Sequence, residues 1–170
     1  MDLKKLIRDI PDFPEDGILF RDITTLLKNP EGLTHSVDLL CDKVKDLDFD
    51  LVLGPESRGF IFGVPVAYKL KKGFIPIRKP GKLPYKTHKQ SYELEYGKNT
   101  LEIHSDAIEV GQKVIIIDDL LATGGTLKAM VDLIAKLGGE VVMIACLIEL
   151  IDLKGRELLK DINVETLLKY

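Results

Sequence analysis

The chain has 170 residues, of which 45% are hydrophobic and 30% charged, and its formal net charge is −3. That length suits one domain, 1–170, with a sizeable core, and the composition is ordinary for a soluble globular protein. The mild negative charge argues against nucleic acid or an anionic membrane as a partner.

Residues 1–10 alternate charged with apolar side chains, unlike a signal peptide. The longest apolar stretch, 141–151, is interrupted by Glu149 and is too short to span a bilayer. Two cysteines, Cys41 and Cys146, each lie inside an apolar pattern. They are too few for a disulfide framework or a zinc site and read as buried, reduced thiols. A cytoplasmic protein is expected.

Leu33, Val37, Leu40, Cys41, Val44 and Leu47 recur at spacings of three and four, one stripe of an amphipathic helix. "DLVLG" (50–54) is a short apolar run closed by glycine, as a buried strand is. The segment 59–70 is apolar nearly all round and predicts a buried helix despite Pro65. "GFIPI" (73–77) predicts a second strand. Residues 81–90 lack apolar periodicity and predict a mobile loop. "SYELEYGKNTLEIH" (91–104) predicts two strands around a turn at Gly97-Lys98-Asn99. "KVIII" (113–117) and "EVVMIACLI" (140–148) are further buried strands. Between them Leu127, Met130, Val131, Ile134 and Leu137 predict a helix stopped by Gly138-Gly139. Strands alternating with helices imply an α/β protein with a mostly parallel central sheet flanked by helices.

The stretch "VIIIDDLLATGGT" (114–126) carries the chemistry. In such a sheet ligands gather at the carboxyl ends of strands, where Asp118 and Asp119 stand. Ala122, Thr123, Gly124, Gly125 and Thr126 then lead into a helix. Backbone amides stripped of side-chain bulk converge on a phosphate there, and the threonine hydroxyls add donors. The carboxylates suit a sugar diol, or Mg²⁺ held through water, since they repel phosphate. No Walker loop and no G-x-G-x-x-G occurs. His35, His88 and His104 show no metal-ligand spacing.

This stretch resembles the phosphoribosyl-diphosphate (PRPP) signature of the type I phosphoribosyltransferases. "FPEDGILFRDITTLL" (13–27), "ESRGFIFG" (56–63), "IRKPGKLPYKTHKQSYELEYG" (77–97) and "LKGRELL" (153–159) extend the likeness to the family members that act on adenine. The resemblance implies the type I phosphoribosyltransferase fold, with a small N-terminal base-binding hood (1–30) and a flexible catalytic loop and β-hairpin (81–104). It implies transfer of 5-phosphoribosyl from PRPP to N9 of adenine, giving AMP and pyrophosphate in purine salvage. Mg²⁺ is the expected cofactor, bound mainly through PRPP and water, and a homodimer the expected assembly.

By the same resemblance, Asp118, Asp119 and residues 122–126 hold the ribose 5-phosphate. Glu56, Ser57, Arg58, Arg78 and Lys82 approach the pyrophosphate, Arg78 from the neighbouring subunit, and a cis peptide joins Glu56 to Ser57. Leu19, Phe20, Arg21 and Leu120 surround adenine. Glu95 transfers the base proton, with Arg58 and Lys82 stabilising the leaving group and Tyr96 closing the lid.

Alone, several of these residues have plainer readings: Arg58 as a surface ion-pair partner, Glu95 as a solvated strand residue, Leu19 and Phe20 as core. Two other functions share the signature: a family member acting on another base, or a non-catalytic PRPP-sensing regulator.

Overall fold

The computed structural model describes residues 1–94 and 97–170. They divide into two units, Met1–Leu39 and Leu40–Tyr170. In the first, strands β1 (Arg8–Ile10) and β2 (Phe20–Asp22) pair antiparallel, with Arg8 opposite Asp22. Helix α1 (Thr24–Lys28) follows, and α2 (Pro30–Val44) begins in this unit and runs on into the second. The start of α1 is organised by Asp22, whose carboxylate accepts from the Thr24 amide and hydroxyl, each at 2.9 Å, and from Arg8 Nε at 2.9 Å. These bonds, the Thr24 amide foremost and Arg8 next, lower the Asp22 pKa to about 2.

The second unit is built on β3 (Leu51–Pro55), α3 (Arg58–Leu70), β4 (Gly73–Ile77), β5 (Thr87–Glu93), β6 (Lys98–His104), β7 (Lys113–Leu121), α4 (Gly125–Lys136), β8 (Glu140–Glu149) and β9 (Val164–Lys169). The order β4-β3-β7-β8-β9 makes a five-stranded sheet, parallel throughout. The four runs read from the sequence as buried strands are its first four members. Val52, Leu53, Val114, Ile115, Ile116 and Ile117 are all fully buried, as strands covered on both faces must be. The chain leaves β3 toward β4 on one side and returns to β7 on the other. The topological switch point, where open α/β sheets bind ligands, therefore lies between β3 and β7.

Three expectations are corrected. The strand predicted over 113–117 continues through the two acids to Leu121, so Asp118 and Asp119 lie within it. Residues 87–90, expected in a loop, belong to β5, which pairs with β6 from Thr87↔His104 to Glu93↔Lys98. Strand β5 is polar because its stability comes from β6 and from α4, where Lys136 Nζ donates to the Lys89 carbonyl at 2.9 Å; apolar periodicity is not needed. Helix α3 is not buried all round: Ile61, Val64 and Tyr68 stand exposed on one face, the last at 85%. Both cysteines are buried and free. Among the described residues, no helix is long and apolar enough to cross a membrane.

Because the Asp22 pKa is depressed, its stabilising contribution is complete above the ordinary Asp value and is lost as pH falls toward about 2. Asp22→Asn is expected to be less stable than the parent at neutral pH, with the gap closing between about pH 4 and 2. Urea unfolding across that range measures it.

Candidate active site

The carboxyl end of β7 carries the acid pair. Asp118 and Asp119 are 7% and 5% exposed. Asp118 Oδ1 accepts from the Asp119 amide at 2.8 Å, and Asp119 Oδ2 pairs with Arg58 Nε at 3.0 Å. Burial pushes the Asp118 carboxyl well up, and the Asp119 charge beside it pushes further; Arg58 offsets only part. Asp119 is also raised by burial, with Arg58 pulling against it. Cys146 lies opposite Asp118 on β8, and burial, with both carboxylates nearby, holds its thiol neutral. Gly59 lets the first turn of α3 approach: a Cβ there would stand 3.0 Å from Asp118 Oδ1 and 2.5 Å from Pro55 Cδ.

After β7 the chain turns through Ala122, Thr123 and Gly124 into α4. Gly124 is the N-cap at φ +88°, a left-handed conformation that favours glycine. The leading amides of a helix have no intrahelical acceptor and face any anion placed there. The loop is braced from behind. The Gly155 carbonyl lies 2.5 Å from where a Gly124 Cβ would be, and the Ala122 carbonyl 2.3 Å from where a Gly155 Cβ would be. The Leu150 amide donates to the Leu121 carbonyl at 3.0 Å. Arg156 grips Glu149 with two nitrogens, at 2.7 and 2.9 Å, and Thr166 donates to the same carboxylate at 2.7 Å. The sequence resemblance included "LKGRELL" but gave it no task. Its glycine followed by an arginine was the available signal.

The third wall follows β3. The peptide between Glu56 and Ser57 is cis, as the resemblance implied. The Glu56 carboxylate accepts from the Lys79 amide at 2.8 Å and Arg78 Nε at 3.2 Å. Burial raises the Glu56 pKa, but those two partners outweigh it and hold the carboxyl below its usual value. Its acid thus braces Arg78, leaving Ser57 and Arg58 as the donors at the cavity.

A cavity of about 220 Å³ joins the three walls, lined by residues 55–58, 118–120 and 122–127. Asp118, Asp119, Leu120, Ala122, Thr123, Gly124, Gly125 and Thr126, expected together from sequence, meet here with Glu56, Ser57 and Arg58. Arg78 and Lys82 are not in its lining; Arg78 Nη1 reaches the Lys82 carbonyl at 3.4 Å. Leu19, Phe20 and Arg21 belong to the first unit, where Arg21 pairs with Asp9 and the Phe20 ring meets Phe13 edge-on at 5.1 Å. Glu95 and Tyr96 lie outside the described residues. Sequence reasoning gave no role to Tyr92, whose hydroxyl meets that of Thr126 at 3.0 Å.

Residues 22–169 match the family model described as a phosphoribosyl transferase domain. The adenine phosphoribosyltransferase of Thermotoga petrophila is 59% identical over 170 residues, covering 100% of both chains. The chain belongs to the adenine phosphoribosyltransferase family. The crystal structure of the family member from Thermoanaerobacter pseudethanolicus superposes with a TM-score of 0.97 at 50% identity, covering 99% of this chain and 98% of that one. The Saccharomyces cerevisiae member, complexed with adenine and an imino-altritol bisphosphate, gives 0.89 at 37% identity, with 98% and 96% covered.

The raised Asp118 pKa has a stability consequence. Its favourable contribution is complete below the ordinary Asp value and drains away as pH rises toward the raised one. Without ligand, Asp118→Asn is expected to melt about 2–8 °C above the parent at pH 7.5, with the two converging near pH 4. Thermal unfolding at both pH values checks this.

Proposed function

We propose that the cavity holds the ribose 5-phosphate of PRPP, with its diol on the acid pair and its phosphate in the glycine turn. Adenine phosphoribosyltransferase activity, a step of purine salvage, is the activity of the chain's family. The carrying observation is the juxtaposition of two buried carboxylates with an amide-rich turn in one small cavity. A phosphate needs donors and a diol needs acceptors, and this cavity offers each at a separate wall.

In the reaction the bond from the anomeric carbon to pyrophosphate breaks and the bond from adenine N9 to that carbon forms. The imidazole-ring proton of adenine leaves. Positive charge builds on the ribose ring and negative charge on the departing diphosphate. Asp118 and Asp119 fix the ring through its hydroxyls and place negative charge beside the growing cation. Ser57 and Arg58 receive the diphosphate, Arg58 with a planar fork of donors. Lys82, from the segment 81–104, and Arg78, which follows β4, add positive charge, Arg78 across the interface of a homodimer. The exposed apolar stripe of Ile61, Val64 and Tyr68 on α3 supports a second copy. Leu19, Phe20 and Arg21 read adenine largely through their main chain, and Leu120 covers a ring face. Glu95 accepts the base proton, and Tyr96 closes the lid that excludes water.

Mg²⁺ fits this set of residues. Among those described, no three His, Cys, Asp or Glu side chains are grouped to hold a metal ion. Two acids facing one guanidinium leave surplus negative charge, suited to an ion carried chiefly by the oxygens of PRPP and water. When bound, Mg²⁺ neutralises charge on the leaving diphosphate.

The test is incubation with PRPP, Mg²⁺ and each free base in turn, following nucleotide and pyrophosphate. AMP from adenine, with hypoxanthine, guanine, xanthine and orotate unused, is the expected outcome. Product with another base would move the assignment within the family, and product with none would favour a PRPP sensor.

A further inference from the structure

The hairpin does more than project from the sheet: it sets one side chain on the phosphate turn. Thr126 Oγ1 donates to the Tyr92 hydroxyl at 3.0 Å. A Cβ on Gly125 would stand 3.3 Å from Tyr92 Cδ2, so the half-buried ring lies across the glycine that opens α4. The placement is held on two sides. Strand β5 is tied to α4 by the Lys136–Lys89 bond at 2.9 Å, and Ser91 and Thr100 join hydroxyls across the hairpin at 2.8 Å. Asn99 Nδ2 also approaches the Tyr92 oxygen, at 3.5 Å.

From this geometry we infer that Tyr92 is a positioning residue for the 5′-phosphate of PRPP, acting through the Thr126 hydroxyl; the inference rests on the phosphate-loop reading above. A hydroxyl gives one proton and accepts others. A phosphate dianion only accepts. As the structure stands, Thr126 directs its proton to Tyr92. With phosphate in the turn, Thr126 swings that proton to a phosphate oxygen, and Tyr92 donates its own to Thr126. Two hydroxyls then form a chain ending on the anion, each bond polarising the next. The ring meanwhile covers the turn and keeps water from competing.

Tyr92→Phe keeps the ring and removes only the oxygen. It is expected to raise KM for PRPP about 5–10-fold, the loss of one hydrogen bond, while kcat and KM for adenine stay within about twofold. Calorimetric affinity for ribose 5-phosphate falls by the same factor. Thr126→Val weakens ribose 5-phosphate at least as much, and the double variant is no worse than Thr126→Val alone, because both act through one chain. Unchanged melting temperatures verify that each variant folds. Multiplying effects in the double variant, or a Tyr92→Phe enzyme with parental PRPP and ribose 5-phosphate binding beside a weakened Thr126→Val, would overturn the inference about Tyr92 alone. Parental ribose 5-phosphate binding by Thr126→Val would instead sink the phosphate-loop reading, and the inference with it.

Discussion

Two carboxylates are buried side by side at the end of a strand, with one guanidinium between them and neutrality. That arrangement costs free energy. Removing a carboxylate from water is expensive, and a second one adjacent raises the expense. Arg58 meets Asp119 at 3.0 Å and returns part of it, while Asp118 is left to its neighbour's amide. A chain seeking only stability would fill these positions with the isoleucines that precede them. The pair makes physical sense as preorganised acceptors, held dry for hydroxyl donors and for a ring that becomes cationic.

The rest of the second unit serves to hold that pair against a donor-rich turn. Parallel order brings the loops after β3 and β7 together at the switch point. Gly59 admits the first turn of α3 beside Asp118, while Gly124 and Gly155 let two backbones touch behind the turn. The Arg156–Glu149–Thr166 cluster then pins the C-terminal segment that does the bracing. In the same manner, the Glu56 carboxylate is engaged by Arg78 and the Lys79 amide, which offsets its charge at the cavity wall. Donors and acceptors are thereby sorted onto different walls of one cavity.

Four of the five strands of the central sheet were legible because burial on both faces writes continuous apolar runs, while the partly buried β9 was not; 114–126 was legible because its chemistry is local in sequence. The first part of strand β5, 87–90, was missed for a physical reason: its partners are β6 and α4, and hydrogen bonds with a polar surface leave no periodic trace. The burial of the two acids was not legible, because it depends on how α3 packs beside β7 at Gly59, which no short window contains. Tyr92 and Gly155 act across 34 and 31 positions on Thr126 and Gly124, respectively, so only the folded chain displays their partners. The exposed face of α3 shows the converse, since the apolar run over 59–70 does not say that Ile61, Val64 and Tyr68 stand exposed.

The central claim is that the acid pair grips a pentose by its hydroxyls while the turn grips its phosphate. Binding of ribose 5-phosphate and of 2-deoxyribose 5-phosphate, measured side by side by calorimetry on the parent and on Asp119→Asn, tests it directly. The account predicts that the parent prefers the ribose sugar by about tenfold or more, and that the variant loses most of that preference while still binding phosphate. Equal affinity of the parent for both sugars would contradict it.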